Sequence, residues 1–158
     1  MYMRNAIKML GLVSALALSA CGGSSENDVG RFLGTWRPTS GTYTEICPGY
    51  DAATGPVTGN VIWQRGVSSD LLTTDAATGC AVTADVNGST ATGVSPTCTV
   101  PLDGGAVATV IWTGYTFVIS ADGHTATENG SGTSTYVIGG ATLPCTFTAT
   151  GSYQKIGN

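Results

Sequence analysis

The chain has 158 residues, only a tenth of them charged, with ten acidic against six basic side chains and a formal net charge of −4. This acidic balance argues against nucleic-acid binding and against electrostatic attachment to anionic lipid. Gly is abundant, with 23 residues, and Thr, Val and aromatic residues recur, which favours strands joined by turns over long charge-rich helices.

The first twenty residues have the pattern of a secretory signal peptide. Arg4 and Lys8 give a positive start, and residues 9–18 form an apolar run that is too short to span a bilayer. We therefore exclude residues 1–20 from the fold, which leaves 138 residues, enough for one domain with a real core. That domain carries four basic and ten acidic side chains, for a net charge near −6.

The end of this segment, Leu18-Ser19-Ala20-Cys21, resembles the lipobox of bacterial lipoproteins. The resemblance implies cleavage before Cys21, a thioether-linked diacylglycerol on its thiol, usually an acyl chain on its amine, and stable anchoring to a membrane without a transmembrane helix. Gly22 follows in place of Asp, and the sorting rule of such lipoproteins in diderm bacteria then implies the outer membrane. The rest of the chain resembles Thr/Gly-rich exported lipoproteins, a likeness that implies no particular activity.

We expect residues 21–30, rich in Gly, Ser, Asn and Asp, to form a lipidated flexible tether, and residues 31–158 to form one all-β domain. Short alternating runs separated by turn signals predict a single antiparallel β-barrel of about eight to ten strands, with a β-sandwich as the alternative. The predicted strands cover residues 42–47, 57–64, 70–74, 81–86, 89–94, 106–112, 115–120, 124–128, 133–138 and 145–153.

The clearest predicted hairpin turns at Asp122-Gly123. Its register places Ala126 opposite Ile119 and Glu128 opposite Phe117. Glu128 would then share a face with large apolar side chains.

Two Asn-Gly sequences predict further turns. Asn87-Gly88 would join residues 81–86 to residues 89–94 in a second hairpin, and Asn129-Gly130 would turn the chain into residues 133–138.

Four cysteines remain once Cys21 is assigned to lipid, an even number in an exported protein, which predicts disulfides. Zinc is the alternative, but the chain has no C-x-x-C pair and a single histidine. We expect Cys80 to pair with Cys98 across the Asn87-Gly88 hairpin, and Cys47 to pair with Cys145 when first and last strands meet. A two-residue turn would place Cys80 opposite residue 95, so the first pair requires a bulge or bend.

The segment Phe32-Leu33-Gly34-Thr35-Trp36 resembles the Gly-x-Trp opening strand of lipocalin-like and avidin-like barrels, in which the Trp plugs one end. Lipocalins often place a late arginine over that Trp. Near the C-terminus this chain offers only Lys155, and it has no convincing counterpart of the aspartate-bearing second lipocalin motif.

Candidate ligand-binding residues follow from the predicted hairpin face. Glu128 is the candidate polar anchor if that face lines a cavity, and it is simply solvated if the strand has already ended. The expected apolar contacts are Tyr115, Phe117 and Trp63, although aromatic residues in small barrels often form plain core. We expect no enzyme, because His124 follows a turn and no Gly-x-Ser-x-Gly motif accompanies it. We expect no metal site and no cofactor.

Two functions remain open on the sequence alone. One is a membrane-anchored barrel that holds a small apolar or amphipathic ligand in its interior. The other is a structural or interaction protein of the cell envelope, with a filled core and another envelope protein or a glycan as its partner. A hollow interior would distinguish the first from the second.

Overall fold

The computed structural model of this chain describes residues 25–74, 79–94 and 97–158. The predicted signal peptide and lipobox therefore lie outside the described residues. In those described, no helix is both long and apolar enough to cross a membrane. The elements are α1 (Glu26–Phe32), β1 (Gly34–Ile46), β2 (Ala53–Pro56), β3 (Val61–Arg65), β4 (Leu71–Thr74), β5 (Ala81–Asn87), β6 (Thr90–Val94), β7 (Cys98–Pro101), a 3-10 turn (Asp103–Gly105), β8 (Val107–Ile119), β9 (Thr125–Ile138) and β10 (Ala141–Gly157).

Eight of these strands close into an antiparallel barrel in the order β1-β3-β4-β5-β6-β8-β9-β10, and β10 pairs back with β1. β2 lies on the same edge of β1 as β3, and β7 lies on the same edge of β8 as β6. The predicted all-β antiparallel barrel is confirmed, and its alternative, the sandwich, is wrong because the sheet closes on itself.

The barrel wall is uneven in height. β1, β8, β9 and β10 have 13 to 17 residues, whereas β3, β4, β5 and β6 have four to seven. The long strands therefore continue beyond the short ones at the end remote from α1. We call the end remote from α1 the open end of the barrel. The end that α1 crosses is the closed end.

Helix α1 begins at a capped N-terminus. The Ser25 hydroxyl accepts a hydrogen bond from the backbone N–H of Asp28, and Val29 and Phe32 are buried against the core. We expected residues 21–30 to form a flexible tether, but residues 26–30 belong to this helix. The apolar spacing of Val29 and Phe32 lets one helical face cover the barrel end, which the polar composition of the segment concealed.

Polar contacts fix α1 across the closed end. The Arg31 guanidinium donates to the carbonyls of Ser120 and Ala121, in the turn between β8 and β9, at 3.0 and 3.2 Å. At the other side of the helix, Arg65 forms a 2.6 Å salt bridge with Glu26. The helix is therefore tied to strands on two sides of the barrel.

The hairpin of β8 and β9 has the predicted register, with Ala126 opposite Ile119 and Glu128 opposite Phe117. In the turn, Gly123 has a φ of +73°, a conformation that favours glycine. This part of the prediction is confirmed because local turn chemistry alone determined it.

The hairpin of β5 and β6 has a register different from the predicted one. Asn87 lies opposite Thr90, so the two-residue loop is Gly88-Ser89, with a φ of +59° at Gly88. The predicted register is therefore displaced by two positions along the strands. The ladder between β5 and β6 ends at the pair of Thr83 and Val94, before either cysteine of the second disulfide.

No turn occurs at Asn129-Gly130, and that prediction is wrong, because β9 runs unbroken from Thr125 to Ile138. A Cβ at Gly130 would lie 2.3 Å from the Trp112 ring, and one at Gly132 would lie 2.4 Å from the Phe147 ring. Both glycines therefore serve the close approach of aromatic rings inside the barrel, and neither has a positive φ.

β8 unites two predicted strands, residues 106–112 and 115–120. Its pairing with β9 is irregular between Trp112 and Gly114. A bulge adds one residue and so changes the alternation of faces. Trp112 and Tyr115 consequently both face the interior, although they are three positions apart.

Both predicted disulfides are confirmed. Cys47 pairs with Cys145 across β1 and β10, with a Cα–Cα distance of 4.3 Å and a sequence separation of 98 residues. Cys80 pairs with Cys98 at 5.6 Å. The first bridge fixes the open ends of β1 and β10, and the second ties β5 to β7.

Aromatic rings fill the closed half of the barrel around Phe117, which is fully buried. Four rings have centroids within 6.5 Å of its own, and they belong to Phe32, Trp36, Trp63 and Tyr153. The Trp36 indole N–H also donates to the Phe32 carbonyl at 2.7 Å, which joins the end of α1 to this cluster. The closed half is therefore a filled core.

Replacing Phe117 with Ala should lower the free energy of unfolding by about 3 to 5 kcal/mol, because it leaves a void among four rings. Val118→Ala, on the outward face of the same strand, should cost clearly less. Urea denaturation of both variants measures the difference. Equal and small losses would contradict the filled core.

Candidate functional site

The open half of the barrel is hollow. It contains a partly open cavity of about 410 Å³, within the range of roughly 300–1,000 Å³ that is usual for small-molecule pockets. The long strands supply most of its aromatic side chains. The opposite wall of the cavity is formed by residues 55–61, by β4 and β5 at the open end of the barrel, and by β7 together with Leu102. Its principal aromatic and aliphatic lining residues are Tyr43, Val61, Val82, Val100, Leu102, Val110, Trp112, Tyr115, Tyr136, Phe147 and Tyr153.

Small inward side chains explain why this half stays hollow. Thr73, Ala108, Ser134 and Ala149 are buried and line the cavity. Large rings occupy the corresponding inward positions in the closed half. The predicted strand 57–64 begins only at Val61, and the residues before it line the cavity as a connection outside the sheet.

Glu128 is the acidic group of the cavity. It is 7% exposed, and one of its carboxylate oxygens accepts a hydrogen bond from the Tyr153 hydroxyl. The Tyr115 hydroxyl also bonds to Glu128, and burial together with this carboxylate raises the pKa of Tyr115 well above its ordinary value. Tyr115 is therefore a neutral hydrogen-bond donor at physiological pH.

Two buried polar atoms have no hydrogen-bond partner in the described residues, the Trp63 indole nitrogen and the Thr73 hydroxyl. Thr73 lines the cavity and is 7% exposed. Leaving a buried donor or acceptor unsatisfied costs about 1–3 kcal/mol. A ligand or water in the cavity could satisfy the Thr73 hydroxyl.

A second polar cluster lies at the open end. The Glu45 carboxylate accepts hydrogen bonds from the hydroxyls of Ser134 and Tyr136, with the Tyr136 oxygen 3.0 Å from each carboxylate oxygen. Burial and the Glu45 carboxylate raise the pKa of Tyr136. These bonds join β1 to β9 across β10, which lies between them.

Glu45, Ser134 and Tyr136 were not predicted from the sequence as site residues. The available signal was the alternation of Tyr43 with Glu45 in β1 and of Ser134 with Tyr136 in β9, which places each pair on one face. Only closure of the sheet shows that those two faces meet.

The predicted ligand residues separate into two groups. Glu128 and Tyr115 line the cavity, whereas Phe117 belongs to the filled half below it. Trp63 is buried between them, with its ring centroid 6.0 Å from Tyr115 and 5.8 Å from Phe117. His124 is in the turn at the closed end, away from the cavity.

Lys155 lies over the Trp36 ring at the closed end. Its ammonium is 5.5 Å from the centroid of the Trp36 ring and donates to the Arg31 carbonyl at 3.0 Å. Burial lowers the pKa of Lys155. This cation therefore covers the plugged end and is remote from the cavity.

In the described ranges, no group of three or more His, Cys, Asp or Glu side chains could hold a metal ion. The chemistry of the cavity is that of a protein pocket with aromatic walls, hydroxyl groups and one buried carboxylate.

The folded domain should lose stability as the pH rises above about 10. Because the folded state raises the pKa of Tyr115, its contribution is complete below the unfolded pKa and is lost as pH rises through the folded one. The slope of unfolding free energy against alkaline pH, from urea denaturation, should be shallower for Tyr115→Phe. Tyr50→Phe, at an exposed residue, should keep the parent slope. Identical slopes for Tyr115→Phe and the parent would refute the assignment.

Comparisons with models of known protein families, with curated proteins and with solved structures give no match to this chain.

Proposed function

We propose that this protein is a lipid-anchored binding protein of the bacterial cell envelope, which holds a small apolar or amphipathic molecule inside its barrel. The single observation that carries the binding function is the cavity of about 410 Å³ above a filled aromatic core, and the lipid anchor is proposed from Leu18-Ser19-Ala20-Cys21. A pocket with largely apolar walls and a few buried polar groups is the usual form of a small-molecule site.

Binding is favoured over catalysis by the placement of the reactive side chains. His124, the one histidine, lies in the turn at the closed end. Inside the cavity, Glu128 is held by two tyrosine hydroxyls. That arrangement supports a fixed polar anchor for a ligand.

The proposed anchor also sets the orientation of the barrel. Cys21 precedes Ser25 by four residues, a span of about 14 Å at most when fully extended. Since α1 starts at Glu26 and crosses the closed end, an acylated Cys21 would hold that end against the membrane. The open end would then face away from the anchoring leaflet, and ligand would enter from the aqueous compartment.

Cys21→Ser should abolish membrane retention and labelling by a radioactive fatty acid, because the thiol is the proposed site of acylation. Ser24→Ala, just beyond the lipobox, should leave both unchanged. Fractionation of expressing bacteria tests this. Continued labelling and membrane partitioning of Cys21→Ser would show that the lipoprotein interpretation is wrong.

The parent domain should enhance the fluorescence of the apolar probe N-phenyl-1-naphthylamine, and Ala149→Phe should remove most of that enhancement. Ala149 is buried and lines the cavity, so a phenyl ring there would occupy the space for the probe. Thr148→Phe places the same ring on the exposed face of the same strand and should bind the probe as the parent does.

Melting curves of both variants would verify that each one is folded. A folded parent that shows no probe binding would contradict the binding function. The envelope interaction protein, with another protein or a glycan as partner, would then take its place.

A further inference from the structure

The cavity lining contains one acidic side chain and no basic one in the described residues. Among the described residues that line it, Glu128 is the one acid, and none is Lys, Arg or His. The basic side chains of the described chain lie near the closed end instead. Arg31 and Arg65 hold α1, Lys155 covers Trp36, and Arg37 is exposed.

A buried carboxylate in such a pocket discriminates between ligands by charge. Electrostatic interactions strengthen where water is excluded, so an anionic ligand beside Glu128 would be repelled and a cation attracted. Glu128 lines the cavity, and a carboxylate has about four lone-pair positions, so it can accept hydrogen bonds from a ligand as well as from Tyr153.

The cavity walls add a second attraction for a cation. Six aromatic side chains line the cavity, and ring faces attract ammonium groups, more strongly where water is excluded than at exposed sites. These six are Tyr43, Trp112, Tyr115, Tyr136, Phe147 and Tyr153.

Thr73 indicates independently that the ligand has a polar group. Its hydroxyl is buried, lines the cavity and has no partner in the described residues. A hydroxyl both donates and accepts hydrogen bonds, so it can bind an ammonium or a second polar group of the ligand.

We propose that the ligand is a small organic amine, positively charged at neutral pH, with a compact apolar or aromatic body. This inference rests on the proposed binding function and names its ligand class. The ammonium binds the Glu128 carboxylate, the body packs against the aromatic rings, and fatty acids and other anions are excluded.

Three probes with the same naphthyl group test the charge preference. They are 2-(2-naphthyl)ethylamine, 2-(2-naphthyl)ethanol and the carboxylate anion of 2-naphthaleneacetic acid. Calorimetric titration of the parent domain at neutral pH should show the amine binding at least about tenfold more tightly than the alcohol, since a charge-assisted hydrogen bond is the stronger kind. The carboxylate should bind more weakly than the alcohol.

Glu128→Gln should remove the preference of the site for the amine over the alcohol, because the amide keeps the shape and an acceptor oxygen for Tyr153 but loses the charge. Asp85→Asn removes a charge from the exposed face of β5 and should preserve the preference. Thermal melting of both variants shows whether each is folded. If Glu128→Gln is not folded, the order of the three affinities in the parent decides alone.

The possible results distinguish failure of the amine assignment from failure of the proposed binding function. Equal or weaker binding of the amine, or an unchanged preference in folded Glu128→Gln, would overturn the amine assignment but keep the binding function. The amine assignment also fails, and the binding function stands, if N-phenyl-1-naphthylamine binds and none of the three probes does. Failure of all four probes would remove both proposals.

Discussion

The contact of Phe117 with four surrounding rings is the interaction on which the rest of this barrel depends. Phe32 comes from the end of α1, Trp36 from β1, Trp63 from β3 and Tyr153 from β10. One ring therefore joins the helix and three strands to β8. This cluster fills the closed half of the barrel with packed side chains. The fold therefore does not depend on a ligand in the open half, and that half can stay hollow.

The open half shows how side-chain volume is distributed around the closed sheet. Gly130 and Gly132 of β9 leave room for the rings of Trp112 and Phe147, whose centroids are 4.8 Å apart. Where the facing positions carry Ala or Thr and no ring reaches them, a cavity remains. Loss of packing contacts around a cavity costs stability, and the closed half, the barrel hydrogen bonds and the Cys47–Cys145 bridge offset that cost.

Glu128 is the feature that packing alone does not explain. Taking a carboxylate out of water is costly unless hydrogen bonds replace its hydration. The hydroxyls of Tyr153 and Tyr115 supply such bonds, so the group is held in a fixed place within an otherwise uncharged lining. A Leu or Gln at this position would fill the same space at lower cost, and this supports the proposed role of Glu128 in ligand recognition.

The sequence by itself determined the all-β class, the register of the Asp122-Gly123 hairpin and both disulfide pairs. Turn chemistry and the alternation of side chains act between near neighbours, and four cysteines allow few pairings. The lipid anchor at Cys21 is also a sequence inference, and it stays a prediction. The tertiary structure alone decided that Asn129-Gly130 continues a strand, that Phe117 is core while Tyr115 lines a cavity, and that Glu45 meets Ser134 and Tyr136. Each of these depends on the volumes and positions of side chains from strands distant in the chain, and no local pattern records which residues a closed barrel brings face to face.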